Sequence, residues 1–208
     1  IHFELGNKKE AGNQISKAVN LSPQDFNANI TAGQIFSRNN QPENALQYLQ
    51  KAVELDPGNT AAIRSLAQTY YDLGNLAAVM SSADSSILIN KSIATYQKAI
   101  RTTVDMKTKA DLHFNLGVLY NQIGDFDEAE DHFISALDLN PEDVEAILGM
   151  AQTFESNEKW RKAEKFYKEL IYLQPENAAH YRGIARALIQ QGKPAKAQRY
   201  LEKAKKYN

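Results

Sequence analysis

The sequence predicts an all-α solenoid of antiparallel helix pairs, and three observations lead to that prediction. Leu-x-Pro triplets end at Pro23, Pro57, Pro141 and Pro175, so the first two and the last two are each 34 residues apart. Alanines recur with the same period. Between the prolines, apolar residues fall three or four positions apart, which is the spacing of one face of an α-helix. Repeated helical segments bury such faces by stacking on their neighbours.

Small residues occupy a fixed place in each repeat, where two helices have to approach each other closely. The alanine series consists of Ala11, Ala45, Ala129, Ala163 and Ala197.

Each repeat consists of a helix, a tight turn and a second helix. In the repeat that begins at Ala110, the apolar spacing predicts a first helix over residues 111–121. Gly124 follows it and is suited to a left-handed C-terminal cap. A second helix begins at Phe126 and stops before Pro141, because proline cannot continue a helix and disfavours helical geometry in the residue before it.

This pattern resembles the tetratricopeptide repeat, and the resemblance covers nearly the whole chain. The family's 34-residue unit carries Leu-Gly, Tyr, Gly, Ala, an aromatic residue, Ala and Pro in a fixed order. The repeat that begins at Ala110 matches this order with Leu116, Gly117, Tyr120, Gly124, Ala129, Phe133, Ala136 and Pro141, and departs from it with His113 at the first apolar position.

The resemblance implies a right-handed superhelix in which the first helix of each repeat lines a concave groove. The predicted repeats span approximately 1–25 (partial), 26–59, 60–109 (with inserted residues), 110–143, 144–177 and 178–208.

The chain begins "IHFELG", without Met and without the charged and apolar regions of a signal peptide. In the incomplete first repeat, residues 1–5 are expected to be the tail of a first helix. We therefore expect the chain to be a piece of a longer polypeptide, and the sequence leaves its compartment open.

About 16 extra residues follow Pro57, where the repeat resumes with Ser92, Tyr96 and Ala99 in the places of the second helix. The inserted segment, residues 79–91, has apolar residues on both sides of a polar "SSADSS" stretch. Ser and Asp favour turns and helix N-caps, so we expect an elongated hairpin that turns near residues 81–86. The alternative is a flexible surface loop. Insertions of this kind often contact partners.

Composition excludes several classes of function. The chain has 24 basic and 25 acidic residues among 208, whereas a nucleic-acid-binding protein usually carries a basic excess. It has no run of about 18 apolar residues, so we expect no membrane span. It has no Cys, which excludes disulfides, thiolate metal sites and Cys nucleophiles.

The sequence also predicts no catalytic, cofactor or metal site. Phosphate-binding loops, dinucleotide fingerprints and zinc-protease motifs are absent from it. His113 and His132 share a repeat and can approach each other, but zinc prefers three or four ligands. The acidic stretch from Asp125 to Asp131 is typical of an exposed helix start. Trp160 is expected in the core. We therefore predict a protein that is not an enzyme.

Counting along the repeats gives the side chains that line the groove in tetratricopeptide repeat proteins. Apolar residues among amides suit an extended or helical peptide, because pockets take its side chains and amides bind its backbone. The alternative is that the apolar residues pack against the next repeat. The predicted groove residues are Asn27, Ile30, Gln34, Arg64, Gln68, Tyr71, Phe114, Val118, Asn121, Gln122, Leu148, Gln152, Arg182 and Arg186, and the count also gives Arg38, Glu145 and Glu155.

One subclass of the family binds the C-terminal carboxylate of chaperones with a set of Lys, Asn and Arg residues. Asn115 matches one of those asparagines, but Glu145 stands at a lysine place and would repel a carboxylate. That clamp is therefore absent. Arg182 and Arg186 lie one turn apart and form a local pair of positive charges in the groove. Such a pair can hold an acidic side chain, and the alternative is that both arginines are solvated.

Two functions remain after these exclusions. The first is a binding module that holds a segment of a partner protein in the groove. The second is a structural role in which the repeats assemble with copies of themselves. A more distant alternative is a regulatory segment of an enzyme whose catalytic domain lies outside this sequence.

Overall fold

The computed structural model describes residues 8–80 and 82–207, with side chains from residue 10 onward, and these residues form helices joined by short turns. The expected helix tail at residues 1–5, and Ser81 in the expected turn, lie outside this range. The contacts divide the chain into two compact halves, Ile1–Val104 and Asp105–Asn208. We call them the N-terminal half and the C-terminal half.

Within residues 8–80 and 82–104, the N-terminal half has two helix pairs after one leading helix. The second helix of the first pair packs against the first helix of the next pair. The helices are α1 (Lys8–Leu21), α2 (Phe26–Arg38), α3 (Pro42–Leu55), α4 (Thr60–Val79) and α5 (Asp84–Thr102).

Up to residue 207, the C-terminal half has three helix pairs, and the second helices of the first two pairs each pack against the first helix that follows. A short 3-10 segment at Lys205–Tyr207 ends it. The helices are α6 (Met106–Ile123), α7 (Phe126–Leu139), α8 (Val144–Ser156), α9 (Trp160–Leu173), α10 (Ala178–Gln190) and α11 (Pro194–Ala204). The antiparallel helix pairs of both halves confirm the predicted all-α fold.

The first helix of every pair has a side-chain N-cap, and the second helices do not. Asp or Asn precedes each first helix and accepts a hydrogen bond from a backbone N–H of its first turn, at 2.7–3.1 Å. Such a cap satisfies one of the N–H groups that a helix start leaves unpaired. The capping residues are Asp25, Asn59, Asp105, Asp143 and Asn177.

Glycines allow the paired helices to approach closely. A Cβ atom on Gly33 would overlap Leu49, and one on Gly183 would overlap Tyr167. Large core side chains from the second helices therefore fill the space that glycines on the first helices leave open. Gly124 has a different role: its φ of 84° confirms the predicted left-handed cap at the end of α6.

The insertion forms an elongated helical hairpin, as expected. Helices α4 and α5 have 20 and 19 residues, whereas α2 and α3 have 13 and 14. Ser92, Tyr96 and Ala99 are buried, as the resumed repeat requires. The turn comes slightly earlier than predicted, because α5 already begins at Asp84, whose backbone N–H donates to Ser82 Oγ at 3.2 Å.

Candidate functional site

One side of the first helices stays open to solvent, and the predicted groove residues lie on it. On α2, Asn29, Ala32, Gly33 and Phe36 face the core, and the predicted positions alternate with them. The same holds along the other first helices, where every predicted groove residue is exposed or half-buried. The helical spacing thus supplies two faces, one for packing and one for contact.

In the N-terminal half, this open side forms a polar depression of about 330 Å³ between α2 and α4. Four residues from the groove count line it, namely Gln34, Arg38, Arg64 and Gln68. We call it the α2–α4 depression. The positive charges come from both helices.

Hydroxyl groups that the groove count did not include also line this depression. Ser37 and Thr69 lie within hydrogen-bonding distance of each other, 3.4 Å between their hydroxyl oxygens, and the Thr69 hydroxyl donates to the Ser65 carbonyl at 2.8 Å. They lie one position beside the counted residues. A count that included neighbours of the groove positions could have found them.

The positive charge of Arg64 also acts on Tyr96, which is buried on α5. Burial raises the pKa of Tyr96, and the positive charge of Arg64 opposes that rise. Gln68 donates to Asp72 at 2.8 Å, one turn further along α4. Gln68, which lines the depression, is thus already hydrogen-bonded within its own helix.

In the C-terminal half, the open side is more apolar. Phe114, Val118 and Leu148 are half-buried, so each still presents part of its side chain to solvent. The ring of Phe114 leans on the core, with its centroid 5.9 Å from that of Phe133. Gln152 is exposed on the same helix as Leu148. This is the mixture of apolar groups and amides that the sequence predicted.

Arg186 already has an acidic partner within the chain. Its guanidinium donates to both carboxylate oxygens of Glu155, at 3.2 and 3.0 Å, and to the Tyr167 hydroxyl at 3.2 Å. The acidic group next to Arg186 is therefore Glu155, which lies on the preceding first helix, α8. Counting placed both Glu155 and Arg186 on the open side but could not show that they pair.

Asn115, the residue that matched the carboxylate clamp, is used within its own helix. Its amide nitrogen donates to the backbone carbonyl of Asp111 at 2.6 Å.

The two histidines of the α6–α7 pair meet as expected. Nδ1 of His113 lies 3.0 Å from Nδ1 of His132, and the ring of Tyr120 stacks on His132 with centroids 5.4 Å apart. Burial lowers the pKa of both histidines. Within residues 8–80 and 82–207, no cluster of three or more His, Asp or Glu side chains is arranged to hold a metal ion.

Trp160 is not fully in the core, contrary to the sequence prediction. It is the first residue of α9, is half-buried, and lines two shallow depressions of about 400 and 410 Å³ in the C-terminal half. At a helix start, a side chain packs against fewer turns of its own helix, which leaves one side of the indole accessible.

None of the described helices is long and apolar enough to cross a membrane.

Comparison with known proteins identifies the class. Three tetratricopeptide repeat family models match the chain, over residues 36–84, 110–143 and 148–208. The chain belongs to the tetratricopeptide repeat family.

A curated relative of this chain is longer than the region over which the two match. The peroxisomal targeting signal receptor of Komagataella phaffii is 26% identical over 206 residues, which cover 94% of this chain and 33% of the receptor. The chain thus spans about a third of the length of that relative.

Solved structures show the same fold. A tetratricopeptide repeat protein from Parabacteroides merdae has a TM-score of 0.71 and 21% identity, covering 100% of this chain and 76% of that one. MamA has a TM-score of 0.64 and 23% identity, covering 84% of this chain and 93% of that one. At these identities the likeness concerns the fold alone.

Proposed function

We propose that this chain is a protein-interaction module that binds an extended or helical segment of a partner protein on the open side of its first helices. The observation that carries the proposal is the open side itself, where apolar residues and amides remain accessible although neighbours on the same helices are buried. Buried glycines fix the spacing of the helices, so the surface is formed before a partner arrives.

The chemistry of this surface favours a peptide. Half-buried Phe114, Val118 and Leu148 provide places for apolar side chains, and Gln122 and Gln152 provide donors and acceptors for a backbone. The relative from Komagataella phaffii is named as the receptor of a targeting signal, which supports a recognition role for this chain.

An affinity capture from native cell extract tests the proposal. The bait is this chain, and the variant is Phe114→Ala/Leu148→Ala. The matched control is Ile134→Ala/Leu139→Ala, which removes similar apolar side chains from exposed places on the second helix α7. Circular dichroism checks that all three proteins remain helical.

We expect a partner protein that is captured by the original chain and the control but lost from the Phe114→Ala/Leu148→Ala variant. Capture that is the same for all three folded proteins would contradict binding on the open side of the first helices.

Self-assembly is a second candidate, and the tip of the α4–α5 hairpin favours it. Leu76, Val79, Met80 and Ile87 are large apolar residues that stay exposed there, Val79 at 85% and Met80 at 73%. Exposed apolar clusters often mark contacts with another chain. Under this proposal, sedimentation gives a mass that rises with concentration, and Val79→Ser/Met80→Ser abolishes the rise. A monomer at all concentrations would exclude this function.

A further inference from the structure

Residues of α3, α4 and α5 line an open depression of about 480 Å³ in the N-terminal half, which we call the α3–α5 depression. Its lining is largely apolar, because it includes the buried side chains of Ile63 and Leu66 on α4 and the half-buried Val53 on α3. Exposed Glu54 and Lys98 also line it. None of the predicted groove residues lines this depression, so it is a surface separate from the open side of the first helices.

The tip of the α4–α5 hairpin is an apolar projection that carries one charge. Val79 and Met80 are 85% and 73% exposed, and Leu76 and Ile87 are also exposed. In the sequence, Asp84 is the one charged residue between positions 73 and 90. We call these five residues the hairpin tip. Apolar side chains that are exposed together in this way often contact another chain.

The charges of the two surfaces are complementary. Within the α3–α5 depression, the Glu54 carboxylate already pairs with Lys51, at 3.4 Å. The ion pairs found among the described residues include neither Lys98 nor Asp84. The Asp84 carboxylate accepts a hydrogen bond from the neutral hydroxyl of Ser82, at 3.3 Å. The depression therefore has a positive charge without a counter-ion, and the hairpin tip has a negative one.

The hairpin tip of a chain cannot enter the depression of the same chain. Ile63 lines the depression near the start of α4, and Val79 is the last residue of that helix. At about 1.5 Å per residue, the two lie roughly 24 Å apart along the helix axis. A hairpin tip that fills the depression must therefore come from a second copy of the chain.

We propose that the hairpin tip of one copy inserts into the α3–α5 depression of a second copy. This inference rests on self-assembly, the second candidate function above, and names the surface that receives the tip. Burial of Val79 and Met80 against the apolar lining stabilises the contact, and Asp84 pairs with Lys98 of the other copy. The contact joins two different surfaces, so every copy keeps a free tip or a free depression until a ring closes, and assembly continues as a ring or a filament.

Analytical ultracentrifugation of the 208-residue chain and three variants tests the inference. The tip variant is Val79→Ser/Met80→Ser. The depression variant is Thr95→Arg, which places a long charged side chain at a half-buried position of the lining. The matched control is Leu21→Ser/Tyr172→Ser, which removes apolar side chains that are 86% and 85% exposed elsewhere. Circular dichroism checks that all four proteins remain helical.

We expect the mass of the original chain and of the control to rise with concentration. The tip variant and the depression variant should each stay monomeric where the original chain assembles, because losing two buried apolar contacts weakens association by roughly a hundredfold. A mixture of these two variants should form a one-to-one dimer that grows no further. One variant supplies an intact depression and the other supplies an intact tip.

A second measurement exchanges the two charges and does not depend on how Thr95→Arg folds. Lys98→Glu places an acid opposite Asp84, and we expect it to weaken association roughly fivefold, as for an exposed ion pair. Adding Asp84→Lys in the same chain should restore most of the association, because the pair is present again with its charges reversed. Both positions are exposed, so neither change affects the core.

Four results would overturn the inference, and they differ in what they leave standing. A monomer at all concentrations removes self-assembly together with the inference, and leaves partner binding on the first helices untouched. A depression variant that assembles like the original chain leaves self-assembly through the tip and removes the role of the depression. The absence of a dimer in the mixture also contradicts the inference. So does further weakening when Asp84→Lys is added to Lys98→Glu, since the two charges then do not pair.

Discussion

The carboxylate of Glu155 on α8 accepts hydrogen bonds from both Nε and Nη2 of Arg186 on α10, at 3.2 and 3.0 Å. The Tyr167 hydroxyl of α9 donates to the same carboxylate at 2.7 Å. Hydrogen bonds to the Glu155 carboxylate thus connect three successive helices, α8, α9 and α10, on the open side of the C-terminal half. The Glu155 carboxylate is a main reason why the pKa of Arg186 is raised.

This relationship gives the first prediction, a coupling between Glu155 and Arg186. We expect Glu155→Gln to lower the free energy of unfolding by roughly 1 kcal/mol, because a charge-assisted pair of hydrogen bonds is lost. A double-mutant cycle with Arg186→Gln, measured by urea unfolding, separates the pair from the individual effects. Glu145→Gln, at an exposed position of the same helix, is the control and should change stability little. Additive single effects would show that the pair contributes nothing.

The second prediction concerns the close approach of α9 and α10 at Gly183. A Cβ atom there would overlap the ring of Tyr167. Alanine favours a helix over glycine by about 1 kcal/mol, but overpacking costs about 1–3 kcal/mol, so Gly183→Ala should destabilise the protein. The measurement is the urea midpoint by far-ultraviolet circular dichroism.

Gly58→Ala is the control for this variant, because a Cβ atom at Gly58 would have only Asp56 nearby, at 3.8 Å. It should leave the midpoint almost unchanged. If Gly183→Ala raises the midpoint instead, α9 and α10 are not packed as closely as the overlap of a Cβ atom with the Tyr167 ring implies.

The third prediction is a loss of stability in mild acid from the histidines of the α6–α7 pair. Burial, then the charge of the neighbouring imidazole and of Lys109, lower the pKa of His113. Burial lowers the pKa of His132, and Asp131 partly opposes this. An unfolded histidine has a pKa of about 6.5, so as the pH falls below that value the unfolded chain binds protons that the folded chain does not. The free energy of unfolding therefore falls with pH in this window.

Urea unfolding at about pH 7.5 and about pH 5.5 measures this loss above the range where most carboxylates titrate. The His113→Gln/His132→Gln variant should lose less stability between the two values than the original chain. Some loss should remain, since burial also lowers the pKa of His180. An unchanged difference in the double variant would assign the acid sensitivity to other groups.

The sequence predicted the helix pairs because their signals are local. The spacing of apolar residues, the stop at Pro141 and the left-handed Gly124 each act within a few residues, and the structure confirms them. The pairing of Glu155 with Arg186 was not predictable in this way. It depends on the side-chain conformations of two helices in different repeats, and position counting gives no information about them.

In the α4–α5 hairpin, packing between the two helices outweighs the local turn signal of a glycine. Gly74 occupies the place at which Gly124 ends α6, but it lies inside α4, which continues to Val79. The residues after it are mostly good helix formers, and α5 offers Ile89 as an apolar contact. At this position glycine therefore allows α4 and α5 to approach each other closely and does not form a turn.

The fourth prediction tests that role of Gly74. A Cβ atom there would lie 2.9 Å from Ile89 Cγ1 and 3.2 Å from the backbone oxygen of Ser85, so α4 and α5 would have to move apart. We expect Gly74→Ala to lower the free energy of unfolding by roughly 1–2 kcal/mol, since the overpacking exceeds the gain in helix propensity. Hydrogen exchange should also be faster near Ile89 than in the original chain.

Asn75→Ala controls for helix propensity, because Asn75 is the exposed neighbour on the same helix and alanine should stabilise it slightly. Ile89→Ala in the Gly74→Ala background should recover part of the loss, since it removes the nearer of the two contacts while the Ser85 oxygen stays in place. If Gly74→Ala and Asn75→Ala both raise the urea midpoint, α4 and α5 are not in the close contact that makes glycine necessary.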